Sequence, residues 1–107
     1  MQVIAIPRQY RGGDYERLAI GTSAVVVPTA LKLKTAAGKV AQVILITPEG
    51  CDIRWRDDAG IPTTGAAGNG TPCKDGDSVT LGGTTNAKNA QMIALSGSGV
   101  VHIHYYY

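Results

Sequence analysis

Charged residues of either sign are scarce in this sequence, and phenylalanine is absent. Asp, Glu, Lys and Arg make up 17% of the 107 residues, and the formal net charge is only +2. Proteins that bind nucleic acid normally carry a concentrated basic face, whereas the basic residues here are scattered along the chain. The low charge argues against a nucleic-acid partner and predicts a surface rich in Ser, Thr, Asn, Gly and Ala.

Long apolar runs are also missing. The longest, VILI at 43–46, is far shorter than the roughly 20 residues that a membrane-spanning helix requires. The first residues, MQVIAIPRQYRGG, have no charged n-region, and Pro7 interrupts their apolar stretch, so they do not fit a signal peptide. We therefore expect no membrane partner and synthesis in the cytoplasm.

Residues that carry catalysis or bind metals are few. Cys51 and Cys73 do not form a C-x-x-C pair and are expected to be free thiols in a reducing compartment. His102 and His104 are two apart on a predicted strand and could share a metal ion, but no third or fourth ligand lies near them in sequence. Ser, Cys and His show no arrangement typical of a catalytic nucleophile. We predict no metal, no cofactor and no enzymatic activity.

What the sequence does contain is a series of short segments typical of β-strands. They are separated by glycine-based turns and recur about every ten residues. Segment 86–95 is the one place where a helical turn competes with a strand. The pattern predicts an all-β fold, an antiparallel β-sandwich with jelly-roll-like character and about eight short strands. The predicted strands are 15–20, 23–27, 30–34, 39–47, 51–57, 77–83, 90–96 and 99–107.

The alternation of apolar and polar residues predicts which side chains form the core. In the last segment, Val101, Ile103 and Tyr105 share one face, and His102, His104 and Tyr106 share the other. A strand at the end of the printed sequence is expected to be held in its own sheet or in an interface. The residues predicted to be buried together between two sheets are Val43, Leu45, Trp55, Val79, Leu81 and Ile103.

The two ends of the sequence differ from the middle. The sequence of residues 1–14 is equally consistent with an arm that lies on another subunit and with a first strand. Residues 15–107 are predicted to form the sandwich domain. Much apolar area is expected to remain outside a sandwich of this size, which favours a homo-oligomer. The candidate interface residues are Ile4, Ile6, Arg8, Tyr10, Arg11, Tyr105, Tyr106 and Tyr107.

The segment 57–77 is long and rich in Gly, Pro, Thr and Ala, with almost no catalytic side chains. Small residues allow close approach of a partner's backbone. We interpret the segment as a packing surface, and the alternative is a solvated loop without a partner.

Several motifs, spread over residues 15–107, resemble those of small virion proteins of tailed bacteriophages. They are an I-T-x-E strand end, an I-R-x-R strand, a Gly-Pro-Thr turn, a G-D-x-x-x-L strand and a short closing strand with tyrosine. The corresponding residues are Ile46, Thr47 and Glu49; Ile53, Arg54, Arg56 and Asp57; Gly60, Pro62 and Thr63; Gly76, Asp77 and Leu81; and Tyr105. The insertion TTGAAGNG and the segment MQVIAIPRQYRGG depart from the pattern.

The resemblance implies a structural role on a phage particle, after synthesis in the host cytoplasm. The expected function is that of a capsid decoration (cement) protein, with the major capsid protein or other virion proteins as partners and a trimer as the favoured assembly. The alternative is a binding module of the tail or neck that recognises a receptor or a carbohydrate. Such a module should expose an aromatic side chain, for which Trp55 and the five tyrosines are the candidates.

Overall fold

The computed structural model describes residues 12–107, and every structural statement below refers to that range. Seven strands and two short helices make this an all-β fold, as the sequence predicted. None of the helices in this range has the length and apolar character needed to cross a membrane. The elements are β1 (Gly12–Ile20), α1 (Ala30–Leu33), β2 (Val43–Glu49), β3 (Ile53–Arg56), β4 (Thr71–Cys73), β5 (Val79–Gly82), α2 (Thr84–Lys88), β6 (Gln91–Ala94) and β7 (Gly99–Tyr106).

The strands form two antiparallel sheets. The larger sheet has the order β1-β7-β2-β5, and the smaller sheet has the order β4-β3-β6. The register of β7 places His104 opposite both Tyr15 on β1 and Leu45 on β2, and His102 opposite both Arg17 and Thr47. The four-plus-three arrangement confirms an antiparallel two-sheet fold but does not by itself establish jelly-roll connectivity.

One hydrophobic core lies between the sheets. The larger sheet contributes Ile44, Ile46, Val101, Ile103 and Tyr105, all of which are completely buried. The smaller sheet contributes Ile53, Met92 and Ala94, which are also completely buried, together with Cys73. Because adjacent residues of a strand point to opposite faces, each strand contributes only every second side chain to this core.

The core-facing residues of β2 were predicted one position out of register. Ile44, Ile46 and Pro48 face the core, whereas Leu45 is half-buried on the outer face. Val43 is buried but lies outside the core cluster. An all-apolar run such as VILI has no polar residue to mark the outer face, so alternation alone could not fix the register.

Of the other four predicted core residues, two are buried and two are only half-buried. Leu81 and Ile103 are buried in the core, as predicted. Trp55 and Val79 are only half-buried and pack against its margin. They lie near the ends of β3 and β5, strands of four residues each, where the neighbouring strands cover a side chain less completely.

Two predicted strands are absent. In the segment 23–27 only Val26 makes a strand-like contact, an isolated bridge to Met92. The segment 30–34 forms α1 instead of a strand: after Pro28, the amides of Lys32 and Leu33 both donate to the carbonyl of Thr29 and close one helical turn. This local hydrogen bonding prevails over the alternating ALKLK pattern, and only Lys34 makes a strand-like pair, with Val40.

The sequence did not predict two further elements, β4 and α2, with the bounds that the structure shows. The short strand β4 lies within the segment 57–77, where no strand was expected. The helix α2 overlaps the start of segment 86–95, the one place where the sequence suggested a helical turn.

Candidate functional site

The interface residues predicted near the start of the sequence cannot be placed. Ile4, Ile6, Arg8, Tyr10 and Arg11 lie outside the described residues. Within the range that is described, residues 12–14 form the beginning of β1. Whether residues 1–14 act as an arm or as a first strand therefore stays a prediction.

Tyr105 was predicted at an interface, and that prediction is wrong. Its side chain is completely buried in the core, and its hydroxyl donates a hydrogen bond to the carboxylate of Glu16. The same carboxylate accepts hydrogen bonds from the backbone N–H and the hydroxyl of Thr29. Burial, and then the negative charge of Glu16, raise the pKa of Tyr105 far above its ordinary value. Tyr105 therefore ties β7 to β1 and to the segment before α1.

Tyr106 and Tyr107 are half-buried. The ring of Tyr107 lies against Gly13 so closely that a Cβ on Gly13 would be 2.2 Å from it, and Gly13 adjoins an irregularity in the pairing of β1 with β7. The hydroxyl of Tyr107 donates to the carbonyl of Lys32, 2.8 Å away. The three tyrosines thus do not form the exposed apolar patch that the sequence suggested.

The two histidines lie on the outer face of the larger sheet, as their alternation predicted. Tyr15 Oη lies 2.5 Å from His102 Nδ1, and His102 Nε2 lies 2.8 Å from Glu49 Oε1. With a proton on Nε2, His102 donates to Glu49, and its Nδ1 can accept from the hydroxyl of Tyr15. The hydrogen bond from His102 lowers the pKa of Glu49.

This chain of side chains orders the outer face but does not form a metal site. His104 joins the cluster through its ring, whose centre lies 4.9 Å from that of Tyr15. Within residues 12–107 no group of three or more His, Cys, Asp and Glu residues could hold a metal ion. The arrangement offers polar and aromatic contacts across a flat surface.

Large exposed apolar residues cluster around α1, a surface that sequence analysis missed. Among the described residues, five large hydrophobic side chains are exposed, and three of them fall within residues 27–40. Leu31 in α1 is 72% exposed, Val27 before it is 52% exposed, and Val40 is 40% exposed. Val40 pairs with Lys34 directly after the helix. The interpretation of 30–34 as a strand hid this cluster.

A groove of about 430 Å³ lies between α1 and α2, and Val40 is the one of these exposed residues that lines it. Its apolar lining includes Leu33, Val40 and Ala41. Two lysines also line it: Lys34, which directly follows α1, and Lys88, the last residue of α2. We call the exposed residues Val27, Leu31 and Val40, together with this groove, the α1 surface.

The small-residue loop between β3 and β4 packs on its own domain. The guanidinium of Arg54 donates from Nη1 to the carbonyls of Thr63 and Gly65, both at 2.8 Å. Pro62 is completely buried, and a Cβ on Gly70 would lie 3.2 Å from both Pro62 and the Cβ of Arg54. The loop therefore covers the outer face of the smaller sheet, which explains its wealth of small residues.

A second arginine of β3 organises the start of the same loop. Arg56 donates from Nε and Nη2 to the two carboxylate oxygens of Asp58, at 2.9 and 2.7 Å. These bonds, followed by one from the backbone N–H of Gly60, lower the pKa of Asp58 to about 2. The loop was predicted to be either a packing surface or a solvated segment, and much of that packing is internal.

The two cysteines are free and buried, in agreement with the expectation of free thiols. Burial raises the pKa of the Cys73 thiol to about 11 and also raises that of Cys51. Thiols held in this protonated form are poor nucleophiles. Neither cysteine forms part of a candidate catalytic site.

Comparisons of the chain with protein-family models, with curated proteins and with solved structures found no match.

Proposed function

We propose that this protein is a structural component of a tailed-phage particle, a capsid decoration protein that acts through protein–protein contacts. The resemblance of its strand and turn motifs to small virion proteins suggests the setting. The observation that carries the proposal is the α1 surface, where Leu31, Val27 and Val40 are exposed and Val40 lines an apolar groove. A protein that works by contact needs such a surface rather than a reaction site.

Exposed apolar residues are informative only when they cluster. Single exposed hydrophobic side chains are normal on soluble proteins, whereas a cluster of them usually marks a site of association. Here Leu31 lies in α1, Val40 pairs with Lys34 directly after that helix, and both Lys34 and Val40 line the groove. Burial of such a surface against a partner supplies the central apolar contact of an interface, and the nearby lysines supply a polar margin.

The favoured partners are further copies of this chain in a trimer, with the major capsid protein or another virion protein beneath it. Identical chains usually assemble with closed symmetry, and a threefold ring joins one surface of each chain to a different surface of the next. The α1 surface would form one side of that contact. The segment 1–14 remains a candidate for the other.

Two substitutions of the same kind test the role of this surface. Leu31→Asp places a charge on the α1 surface, and Ile61→Asp places the same charge in the loop over the smaller sheet, at a residue that is 61% exposed. Both residues are exposed, so both variants should fold with a stability within about 0.5 kcal/mol of the unmodified protein. Only Leu31→Asp should weaken association, by tenfold or more in Kd, or about 1.4 kcal/mol.

Light scattering and sedimentation on the purified chain measure self-association, and co-sedimentation with purified capsids measures particle binding. Equal effects of Leu31→Asp and Ile61→Asp would remove the α1 surface from the proposal. Mass spectrometry of separated heads and tails tests the setting itself. The chain should be found in heads at high copy number, and its absence from purified particles would overturn the proposed role.

The second candidate is a binding module of the tail or neck. It gains support from one observation, the partial exposure of Trp55 beside polar side chains. In that case mass spectrometry would find the chain in tails and not in heads.

A further inference from the structure

Trp55 occupies an unusual position for the only tryptophan of the chain. It lies on β3 between Thr71 of β4 and Met92 of β6, and its ring packs against the margin of the core. The flanking strand β4 has only three residues, so it does not cover the indole completely. Two surface hollows both include Trp55 in their walls. Trp55 is half-buried and lies between the core and both hollows.

The larger of these hollows has a volume of about 390 Å³ and carries several polar groups that are free to bind a ligand. It is lined by Arg56, Asp57, Asp58, Gly70 and Thr71 in addition to Trp55. Arg56 and Asp58 bind each other through Nε and Nη2, which leaves Nη1 of Arg56 as a donor. Within residues 12–107, no hydrogen bond or ion pair involves the side chain of Asp57 or Thr71.

The smaller hollow has a volume of about 270 Å³ and also includes Thr71 in its lining. Pro72 and Val79 give it apolar walls, and Lys74, Asp77 and Ser78 give it polar ones. Thr71 and Trp55 line both hollows, so the two hollows adjoin at these residues.

The balance of charge decides which chemical class fits. The larger hollow contains one cationic and two anionic side chains, and the smaller contains one of each. Asp57 would repel a phosphate or sulfate, and within residues 12–107 no group of three or more potential ligand side chains is present to hold a metal cation. A neutral ligand with many hydroxyl groups can donate to the carboxylates and accept from the guanidinium and the threonine hydroxyl. An aromatic wall next to a few convergent polar groups is typical of small-molecule sites.

We propose that Trp55 and the larger hollow form a binding site for a neutral pyranose ring. The apolar C–H face of the sugar packs on the indole, and its hydroxyls bind the Asp57 carboxylate, the Thr71 hydroxyl and Nη1 of Arg56. A second sugar unit occupies the smaller hollow. The proposal does not depend on the particle role argued above, because it concerns the isolated chain and a different surface.

The sole tryptophan gives a direct measurement. The purified full chain is titrated with methyl glycosides of glucose, galactose, mannose and N-acetylglucosamine, and the emission of Trp55 is followed. We expect a saturable change for at least one of them, with a Kd on the order of 1 mM. A disaccharide of the preferred sugar should bind more tightly than the single ring.

A matched pair of variants assigns the site. Asp57→Ala removes a carboxylate that has no partner in the described range, so the fold should be kept while the Kd for the sugar rises about tenfold. Asp14→Ala removes an aspartate of the larger sheet and should leave the Kd unchanged. Amide chemical shifts in a nitrogen-15 NMR spectrum should move at residues 55–58 and 70–71 on addition of the sugar.

The outcomes separate the proposal from its rivals. An emission change that rises linearly with sugar concentration, or that is the same in Asp57→Ala, overturns it. Saturation by sodium sulfate or tetramethylammonium chloride without saturation by any sugar would show a site for ions instead, and would overturn it as well. Sugar binding with no affinity for phage particles would leave this site standing and count against the particle role alone.

Discussion

The larger sheet contains strands of up to nine residues, whereas no strand of the smaller sheet exceeds four. The outer face of the larger sheet carries the Tyr15–His102–Glu49 chain of contacts, and no loop within residues 12–107 covers these side chains. The outer face of the smaller sheet is covered by the domain's own loop, which Arg54 holds through two backbone carbonyls. The longer strands of the larger sheet provide more backbone pairing, whereas in the smaller sheet Arg54 adds contacts between a short strand and the loop.

The largest expected effect concerns the centre of the larger sheet. Tyr105→Ala removes a completely buried ring from the central strand β7, so the free energy of unfolding should fall by about 3–5 kcal/mol. Urea denaturation measures the change. Tyr105→Phe is the control: it keeps the ring and removes only the hydrogen bond to Glu16, so the loss should be about 1 kcal/mol. A loss below about 1 kcal/mol for Tyr105→Ala would show that the larger sheet does not depend on this core.

A smaller effect should follow from disturbing the loop over the smaller sheet. A Cβ on Gly68 would lie 2.5 Å from the carbonyl oxygen of Thr63 and 2.0 Å from Nη1 of Arg54. Gly68→Ala should therefore force the loop away from Arg54 and lower stability by about 1–3 kcal/mol. On Gly82, an edge residue of the larger sheet, a Cβ would meet nothing within 4 Å, so Gly82→Ala should change stability by less than about 0.5 kcal/mol.

Thermal unfolding followed by circular dichroism compares the two glycine variants. If Gly68→Ala proves as stable as Gly82→Ala, the hydrogen bonds of Arg54 do not hold the loop against the smaller sheet. The difference between the sheets would then lie in strand length alone.

The larger sheet was also the easier one to predict. Its polar and apolar residues alternate clearly in β7, so the faces of His102, Ile103 and His104 followed from the sequence. In β2 the uninterrupted run VILI has no polar residue to mark the outer face, so the predicted core-facing positions were off by one residue. The two-sheet, all-β class needed only the spacing of strand segments and glycine turns, which is local information.

The features that sequence reasoning missed depend on contacts between distant residues. The small-residue loop gave no local sign that Arg54 would bind its carbonyls nine and eleven positions away. Likewise, the exposure of Leu31 became apparent only once 30–34 was seen as a helical turn rather than a strand. The hydrogen bond between Tyr105 and Glu16 joins residues 89 positions apart, and no pattern within either segment predicts it.

Acid should weaken the start of the loop. The pKa of Asp58 is lowered to about 2 because Arg56 and the Gly60 amide donate to its carboxylate, so its contribution to stability is full above its ordinary pKa near 4. That contribution is lost as the pH falls from about 4 to 2. Carbon-13 NMR of the carboxyl carbons should give a midpoint near 2 for Asp58, and the Gly60 amide shift should follow the same curve. An ordinary midpoint would mean that Arg56 does not hold Asp58 in solution.

The smallest expected effect is a difference in the reactivity of the two buried thiols. Cys73 lies on the three-residue strand β4 of the smaller sheet, whereas the Sγ of Cys51 packs against Gly99 at the start of β7 in the larger sheet. In the closed fold, a pKa near 11 leaves only about one Cys73 thiol in a thousand ionised at pH 8, so alkylation requires opening. Local opening of the smaller sheet should expose Cys73 without global unfolding, and iodoacetamide should modify it several-fold faster than Cys51. Gly68→Ala should increase the rate at Cys73 more than the rate at Cys51. Peptide mass spectrometry measures both rates, and equal rates at the two cysteines would show that the sheets open together as one unit.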